Sequence, residues 1–418
     1  MYYIILILFQ YKYNWCILDM TTSVLEYEDS DYQVPPIQNW DELDLPTDLL
    51  RGIYAYGFEK PSPIQQKAIQ PMMEGRDVVV RSPSGLGKSG CFIIGALSKI
   101  QIHKNNTQVL ILSPTRELTT QTAKVVSNIG NFIKGLQVNT FVGGQGQERN
   151  NNRQNMFSAK NTPHIICGCP GKVYDMLQRG TISGQHIRLI VLDEADEMLS
   201  SGFQQQVYSI LQYLPNDVQV CLFSATIPDN LRTIIYKITQ NAVSICVKQE
   251  QLTLDGICQY YIAVNDDKQK YESLKHLFSF INMSHTIIYC NSIIRVQDLY
   301  EAMRDDQFPV CCIHSNMDKV DRDSAFRDFK SGACRVLISS NVTARGIDIQ
   351  QVSVVINFDV PNCVHTYLHR IGRSGRWGRK GVAINLITSR DAPNMKKIEE
   401  HYSTQIHELP DNFMGNIG

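Results

Sequence analysis

Asp193, Glu194, Ala195 and Asp196 follow the apolar run Leu189 to Leu192 and precede a more polar, helix-like stretch from Glu197. A short apolar run ending abruptly in acids predicts a buried parallel strand. In open α/β sheets, ligands sit just beyond the carboxyl ends of such strands. Asp193 and Glu194 could then meet a metal ion and a phosphate at the rim of a sheet. An acidic helix start would also gather carboxylates there, because they favour the first turn. A second stretch offers complementary chemistry. Val78 to Val80 leads into Ser82-Pro83-Ser84-Gly85-Leu86-Gly87-Lys88-Ser89. A strand, a glycine-rich turn and a helix are what a phosphate-binding loop requires. Gly85 and Gly87 let backbone amides approach phosphate oxygens, Lys88 reaches the terminal phosphates, and the Ser89 hydroxyl suits magnesium. Ser82 stands where the strict pattern has glycine, so a tight turn with a surface lysine is the alternative. The third stretch is basic. His369-Arg370-Ile371-Gly372-Arg373-Ser374-Gly375-Arg376-Trp377-Gly378-Arg379 spaces four arginines three residues apart. Its glycines disfavour a solvated helix face, and the clustered charge favours anion binding.

These stretches need a scaffold. Strand-like runs at Val109 to Leu112, Val138 to Val142, Ile165 to Ile166 and Val218 to Phe223 each end in polar or turn residues. Helical segments lie between them, which predicts a parallel, doubly wound sheet. Upstream, Trp40 to Tyr56 reads as one helix-like stretch with Leu49, Leu50, Ile53 and Tyr54 at helical spacing. Ser62 suits an N-cap and Pro63 a first turn. Residues 247–254 are short and polar and form a linker. A second alternation follows, with strands expected at Tyr260 to Val264, Thr286 to Cys290, Val310 to His314, Val336 to Ser339, Val354 to Phe358 and Val382 to Ile387. The halves look like one architecture used twice.

Length and composition agree. A chain of 418 residues is long enough for two domains, and 43% hydrophobic with 19% charged residues is globular. A net charge of -1 gives no global basic field, so any nucleic-acid site is a local patch. The 12 cysteines include no Cys-x-x-Cys pair and lie mostly in apolar runs such as those holding Cys221, Cys290, Cys311 and Cys312, as reduced intracellular thiols do. Cys167 and Cys169 lack a matching second pair for zinc. Tyr2 to Phe9 is apolar but has no basic leader and is too short to span a bilayer. Residues 1–38 are expected to be an extension, 39–246 the first domain and 255–418 the second.

From Asn39 onward the chain resembles the DEAD-box RNA helicases, and within them the initiation factor 4A group, through the motifs above together with Leu49 to Gln66 and Arg370 to Asn385. Tyr402 to Pro410 is similar to the exon-junction paralogue and Met317 to Asp323 to the translation factor. The resemblance implies two tandem RecA-like domains, each a parallel sheet flanked by helices, and RNA-stimulated ATP hydrolysis with magnesium. It implies an adenine site at Gln65 and Phe58, with Trp40 stacking on the base. It places phosphates on Ser84, Gly85, Gly87, Lys88 and Ser89, magnesium on Ser89 and Asp193, and the attacking water on Glu194. Asp348, in Ala344-Arg345-Gly346-Ile347-Asp348, would bind the ribose. Arg373 and Arg376 would be arginine fingers and His369 a coupling residue, while Ser224 and Thr226 would couple nucleotide state to the second domain. RNA would be met by Pro114, Thr115, Arg116, Gly144, Cys169, Pro170, Gly171, Lys172, Arg295 and Thr343. Implied partners are single-stranded RNA or a short duplex and a helical-repeat scaffold of the initiation factor 4G type, with no membrane, in the cytoplasm or alternatively the nucleus.

The chain also departs from the family. Leu86 and Pro83 replace the usual threonine and glutamine of the phosphate loop, Cys169 a threonine and Lys172 an arginine. Ser315 replaces a glycine, Lys319 a glutamine and Asn341 an aspartate. Most of these fall on the implied RNA side. The rival to a fast, RNA-stimulated ATPase is an RNA-binding clamp or scaffold with slow turnover, whose hydrolysis is incidental. A DNA helicase is disfavoured by the acids and by Gln65.

Overall fold

The computed structural model describes residues 36–82, 85–143, 162–200, 202–246, 257–280, 285–343, 352–374 and 381–410. The expected linker and residues 1–19 lie outside them. The chain forms two compact units whose main division falls between 247 and 248.

The first unit is built on strands β1 Val78–Arg81, β2 Val109–Leu112, β3 Val138–Phe141, β4 Ile165–Gly168, β5 Leu189–Asp193, β6 Gln219–Ser224 and β7 Val243–Cys246. They form one sheet in the order β3-β4-β2-β5-β6-β1-β7, and every pairing is parallel. Alternate residues face opposite sides. Val78 and Val80 enter one apolar core, and Val79 enters the other. Helices α1 Thr47–Ala55, α2 Pro63–Met73, α3 Lys88–Ser98, α4 Arg116–Ile129, α5 Pro170–Gln178, α6 Ala195–Met198, α7 Gln204–Leu211 and α8 Asp229–Ile238 cover the sheet. Burial on both faces explains why β2, β4 and β5 read as continuous apolar runs.

The single helix expected from Trp40 to Tyr56 is two pieces: a 3-10 turn at Trp40–Glu42 and α1. Pro46 stands immediately before α1 and biases the residue ahead of it away from helical angles. Only Leu49 and Ile53 of the expected apolar face are sealed, and Tyr54 is exposed. At the foot of the sheet, the buried Asp77 carboxylate accepts the N–H groups of Val220 (2.8 Å) and Gln240 (2.6 Å). It thereby fastens the start of β1 to β6 and to the segment entering β7. Burial pushes its carboxyl up to about 6, against the pull of these two bonds.

The second unit has strands β8 Ile257–Ala263, β9 Thr286–Tyr289, β10 Val310–Ile313, β11 Val336–Ser339, β12 Val354–Asn357, β13 Gly381–Ile387 and β14 His407–Glu408. Their order is β10-β11-β9-β12-β13-β8-β14. Counted from its own first strand, this is the order of the first unit repeated. Helices α9 Asp267–Phe280, α10 Ile293–Asp305, α11 Lys319–Ser331, α12 Val364–Ile371 and α13 Ala392–Tyr402 complete it. Both expected sheets form, with strand ends shifted by a residue or a few. Among the described residues, no helix is long and apolar enough to cross a membrane.

Candidate active site

The glycine-rich turn follows β1 as expected. Gly85 and Gly87 have φ of 87° and 94°, a region that side chains strain to reach. Gly87 caps α3, whose first N–H groups have no helical partner and suit an anion. Lys88 Nζ donates to the Ser82 carbonyl at 2.6 Å, holding the loop in the place where phosphate oxygens would draw it. Ser89 follows on the first turn of α3, and Ser84 lies outside the described residues.

The loop is fastened to the start of α2. Ser62 Oγ donates to the Leu86 carbonyl (2.8 Å). Gln65 Oε1 accepts the Ser62 N–H (2.8 Å), and Gln65 Nε2 donates to the Gly87 carbonyl (3.2 Å). Gln65 is thus both half of a capping box and a strut under the loop. Phe58 and Gln65 also crowd Gly90, where a Cβ would lie 2.6 Å from Gln65 Nε2 and 2.8 Å from Phe58 Cε2. Trp40 is a correction. It has no exposed surface, its indole N–H donates to the Phe58 carbonyl (2.9 Å), and its ring stacks on Phe58 at 6.4 Å. An indole so enclosed offers no face to a base; it supports Phe58 from below, and Phe58 is the half-buried ring.

Asp193 ends β5, and Glu194 turns the chain with φ 53° and ψ 52°. A non-glycine residue in that region carries about 1–2 kcal/mol of strain, which clusters at functional sites. The Glu194 N–H donates to Asp193 Oδ1 (3.0 Å). Burial pushes the Asp193 carboxyl up to about 8, the Glu194 charge adds to this, and Lys88 opposes it. A buried acid beside a second acid is a site that a divalent cation would relieve, and with the Ser89 hydroxyl it offers the hard oxygen donors that magnesium takes. Asp196 serves otherwise. Its Oδ2 accepts the Thr226 hydroxyl at 2.7 Å, and the Thr226 N–H donates to Ser224 Oγ at 3.3 Å. The two expected coupling residues are therefore wired to the acidic turn through an acid to which the sequence alone assigns no role.

The expected RNA-contacting stretches occupy two helix starts. Thr115 caps α4, accepting the Leu118 N–H (3.3 Å), and Arg116 is its first residue. Cys169 precedes α5, which opens with Pro170, Gly171 and Lys172. β2 and β4 are neighbours, with Leu112 opposite Gly168, so both helices start side by side at the carboxyl edge of the sheet. Cys169 Sγ lies 3.4 Å from Thr119 Oγ1 on α4 and links the two. Lys172 is held by Asp175 at 2.7 Å, so its charge is shared.

In the second unit, the side chains of two residues expected to meet RNA are engaged within the unit. Arg295 grips Asp359 with Nε and Nη2 (2.7 and 2.6 Å) and Asp267 with both terminal nitrogens (3.1 and 3.2 Å). The hydrogen bonds it donates to Asp359 are the largest cause holding its guanidinium far into the charged form, and it is an internal brace. Thr343 has no exposed surface and its hydroxyl faces Tyr289. Its burial follows from a 3-10 turn, Asn341–Thr343, that folds it inward.

The same region also modifies the reading of the basic stretch, whose first arginine was expected to share in anion binding. Arg370, on α12, is fully buried and uses all five N–H groups. Nε and Nη2 both donate to Asn341 Oδ1 (2.9 and 2.7 Å), and Nη2 also to Asn291 Oδ1 (2.8 Å). Nη1 donates to Asn357 Oδ1 (3.1 Å) and the Asp359 carbonyl (2.8 Å). Its guanidinium lies over the Tyr289 ring at 5.1 Å. No carboxylate is among these acceptors, and burial brings its pKa down to about 10. Three asparagines at strand ends were the available signal. One helical turn later, Arg373 Nε donates to the His369 carbonyl (3.2 Å). Arg376, Asp348 and Gly144 lie outside the described residues.

Residues 62–234 match the DEAD/DEAH box helicase family, and residues 269–378 match the helicase conserved C-terminal domain. The chain is 43% identical to Eukaryotic initiation factor 4A of Caenorhabditis elegans over 90% of its own length and 92% of that protein's. It is 44% identical to Eukaryotic initiation factor 4A-III homolog A of Oryza sativa subsp. japonica, covering 91% and 92%. Among solved structures it is similar to S. cerevisiae Dbp5 bound to RNA and ADP BeF3, with a TM-score of 0.83, 33% identity, and 90% and 97% of the two chains covered.

Proposed function

The chain belongs to the DEAD-box ATP-dependent RNA helicases, in the initiation factor 4A group, and from that premise we propose that it remodels mRNA in translation initiation. Lys88 and the α3 amides bind the terminal phosphates of ATP. Gln65 and Phe58 hold the adenine end and, through Gly87, report its presence to the loop. Magnesium, when bound by Asp193 and Ser89, supplies charge neutralisation of the phosphates. Glu194 orients the attacking water and accepts its proton. Phosphoryl transfer asks for positioning and charge neutralisation more than covalent chemistry, and Arg373 and Arg376 of the second unit add positive charge as arginine fingers. The helix starts at Thr115 to Arg116 and Cys169 to Lys172 bind the RNA backbone through main-chain N–H groups, with little sequence preference.

The observation that carries this reading is the Asp196–Thr226–Ser224 chain of bonds, which joins the acidic turn to the segment after β6. The test is ATP hydrolysis by the purified chain with and without single-stranded RNA, alongside strand separation of a short duplex. Turnover that ignores RNA would overturn it. A second reading is a slow RNA clamp of the exon-junction type, supported by equal likeness to the rice 4A-III homologue. RNA-stimulated hydrolysis with tight, slowly released RNA would favour the clamp. The reading includes a helical-repeat scaffold of the initiation factor 4G type as partner and a cytoplasmic setting, or a nuclear one for the clamp.

A further inference from the structure

We propose that Cys311 and Cys334 form a reversible thiol–disulfide pair, a modification site at the edge of the second unit's sheet. β10 is the outermost strand on its side, and Cys311 lies on it. Cys334 lies in the turn between α11 and β11. The two thiols converge on one oxygen: Cys311 Sγ is 3.6 Å and Cys334 Sγ 3.2 Å from the Val336 carbonyl. Cys334 Sγ approaches the Pro309 carbonyl as well (3.4 Å). Cys91, Cys167, Cys221 and Cys290 are sealed in the cores, whereas both members of this pair are half-buried.

The pair is asymmetric in the way that a nucleophile and a resolving thiol are. The neighbouring Cys311 thiol draws Cys334 below the ordinary thiol range against the cost of burial. The same neighbourhood pushes Cys311 up. The oxidant is a hydroperoxide. The Cys334 thiolate attacks the peroxide oxygen, the O–O bond breaks, and the departing hydroxide takes a proton to become water. Cys334 is then a sulfenic acid. Cys311 gives up its proton, its sulfur attacks the Cys334 sulfur, and hydroxide leaves to become a second water. Two thiols and one hydrogen peroxide become one disulfide and two waters. An external dithiol reverses the step by exchange. The bond ties β10 to the turn after α11, whose buried Phe329 packs under the same edge.

The experiment treats the reduced full chain with equimolar hydrogen peroxide at pH 7, traps free thiols and maps the peptides by mass. The expected product is a cross-link between Cys311 and Cys334. Exposed Cys258 and Cys363 serve as internal references. If Cys334 is the attacking thiol, its oxidation should run several-fold faster than theirs. Cys311→Ser should leave a sulfenic acid at Cys334 that a dione reagent captures, and Cys334→Ser should abolish the cross-link. Oxidation of Cys334 no faster than of Cys363, or a cross-link joining Cys312 instead, would overturn the proposal.

Discussion

At the scale of single residues, Glu194 combines a strained backbone with a carboxylate beside Asp193. Glu194→Gln keeps the size and the turn but cannot accept a proton from water. It should bind ATP as the parent does and hydrolyse it at least ~100-fold more slowly. Parental turnover by the variant would show that another group activates the water. Arg370 yields a second expectation. Asn341→Asp would place a carboxylate against a buried cation that has only neutral acceptors. Charge-assisted bonds should then stabilise the unit by about 1–3 kcal/mol at neutral pH. Asn341→Ala leaves two N–H bonds unmade and should cost a similar amount. Thermal unfolding of both variants decides this, and equal melting points for all three proteins would remove Asn341 from the network. Here lies the limit of what the chain's letters disclose. Lys88, Ser89, Asp193 and the Ser224–Thr226 segment could be located because glycine spacing and strand ends are local features. That Trp40 and Thr343 point inward, and that Arg295 is claimed by Asp267 and Asp359, depends on residues up to tens of positions away. Periodicity carries no trace of such pairings.

At the scale of elements, the close approach of α2 and α3 depends on Gly90. Alanine there gains up to about 1 kcal/mol of helix propensity, but its Cβ must displace Gln65 and Phe58. Both are ends of flexible side chains, so the fold should survive. Gly90→Ala is expected to unfold within about 1 kcal/mol of the parent while binding ATP several-fold more weakly, read by nucleotide titration. Unchanged affinity would mean that Gln65 and Phe58 do not meet the nucleotide. Asp77 sets a pH dependence. Its folded pKa of about 6 lies above the ordinary 3.8, so the folded state holds the proton more tightly. The contribution is therefore full below about pH 4 and is lost as pH rises through about 6, by roughly 3 kcal/mol at most. Asp77→Asn does not titrate. The stability difference between parent and variant should shift in the variant's favour between pH 4 and 7, measured by denaturant unfolding. A difference that stays flat would place the Asp77 pKa near its ordinary value. The elements themselves were largely legible, since runs such as Leu189 to Leu192 are buried on both faces. The division of the stretch from Trp40 to Tyr56 was not, because the apolar spacing continues across Pro46.

At the scale of the whole molecule, one strand order is used twice, and the proposed mechanism divides the catalytic parts between the copies. Arg373→Ala should slow hydrolysis about a thousandfold or more, as loss of an arginine finger does, with a much smaller effect on ATP binding. A fragment ending near Gln251 should bind ATP weakly and show no stimulation by RNA, and RNA-stimulated turnover by it would refute the division of labour. The strand order also governs how the protein comes into being on the ribosome. β1 lies between β6 and β7, with Val78 opposite Cys221 and Val243. The first apolar strand made therefore waits for partners synthesised about 140 to 165 residues later, the span that separates Asp77 from Val220 and Arg81 from Cys246. Until then Val78, Val79 and Val80 have no sheet to enter, and such long-range parallel pairings form slowly and expose apolar surface meanwhile. The wait recurs in the second unit, where β8 pairs with β13 and β14. Nascent chains of this protein should thus be customers of chaperones twice during one round of synthesis, and each time the release comes with the unit's closing strands.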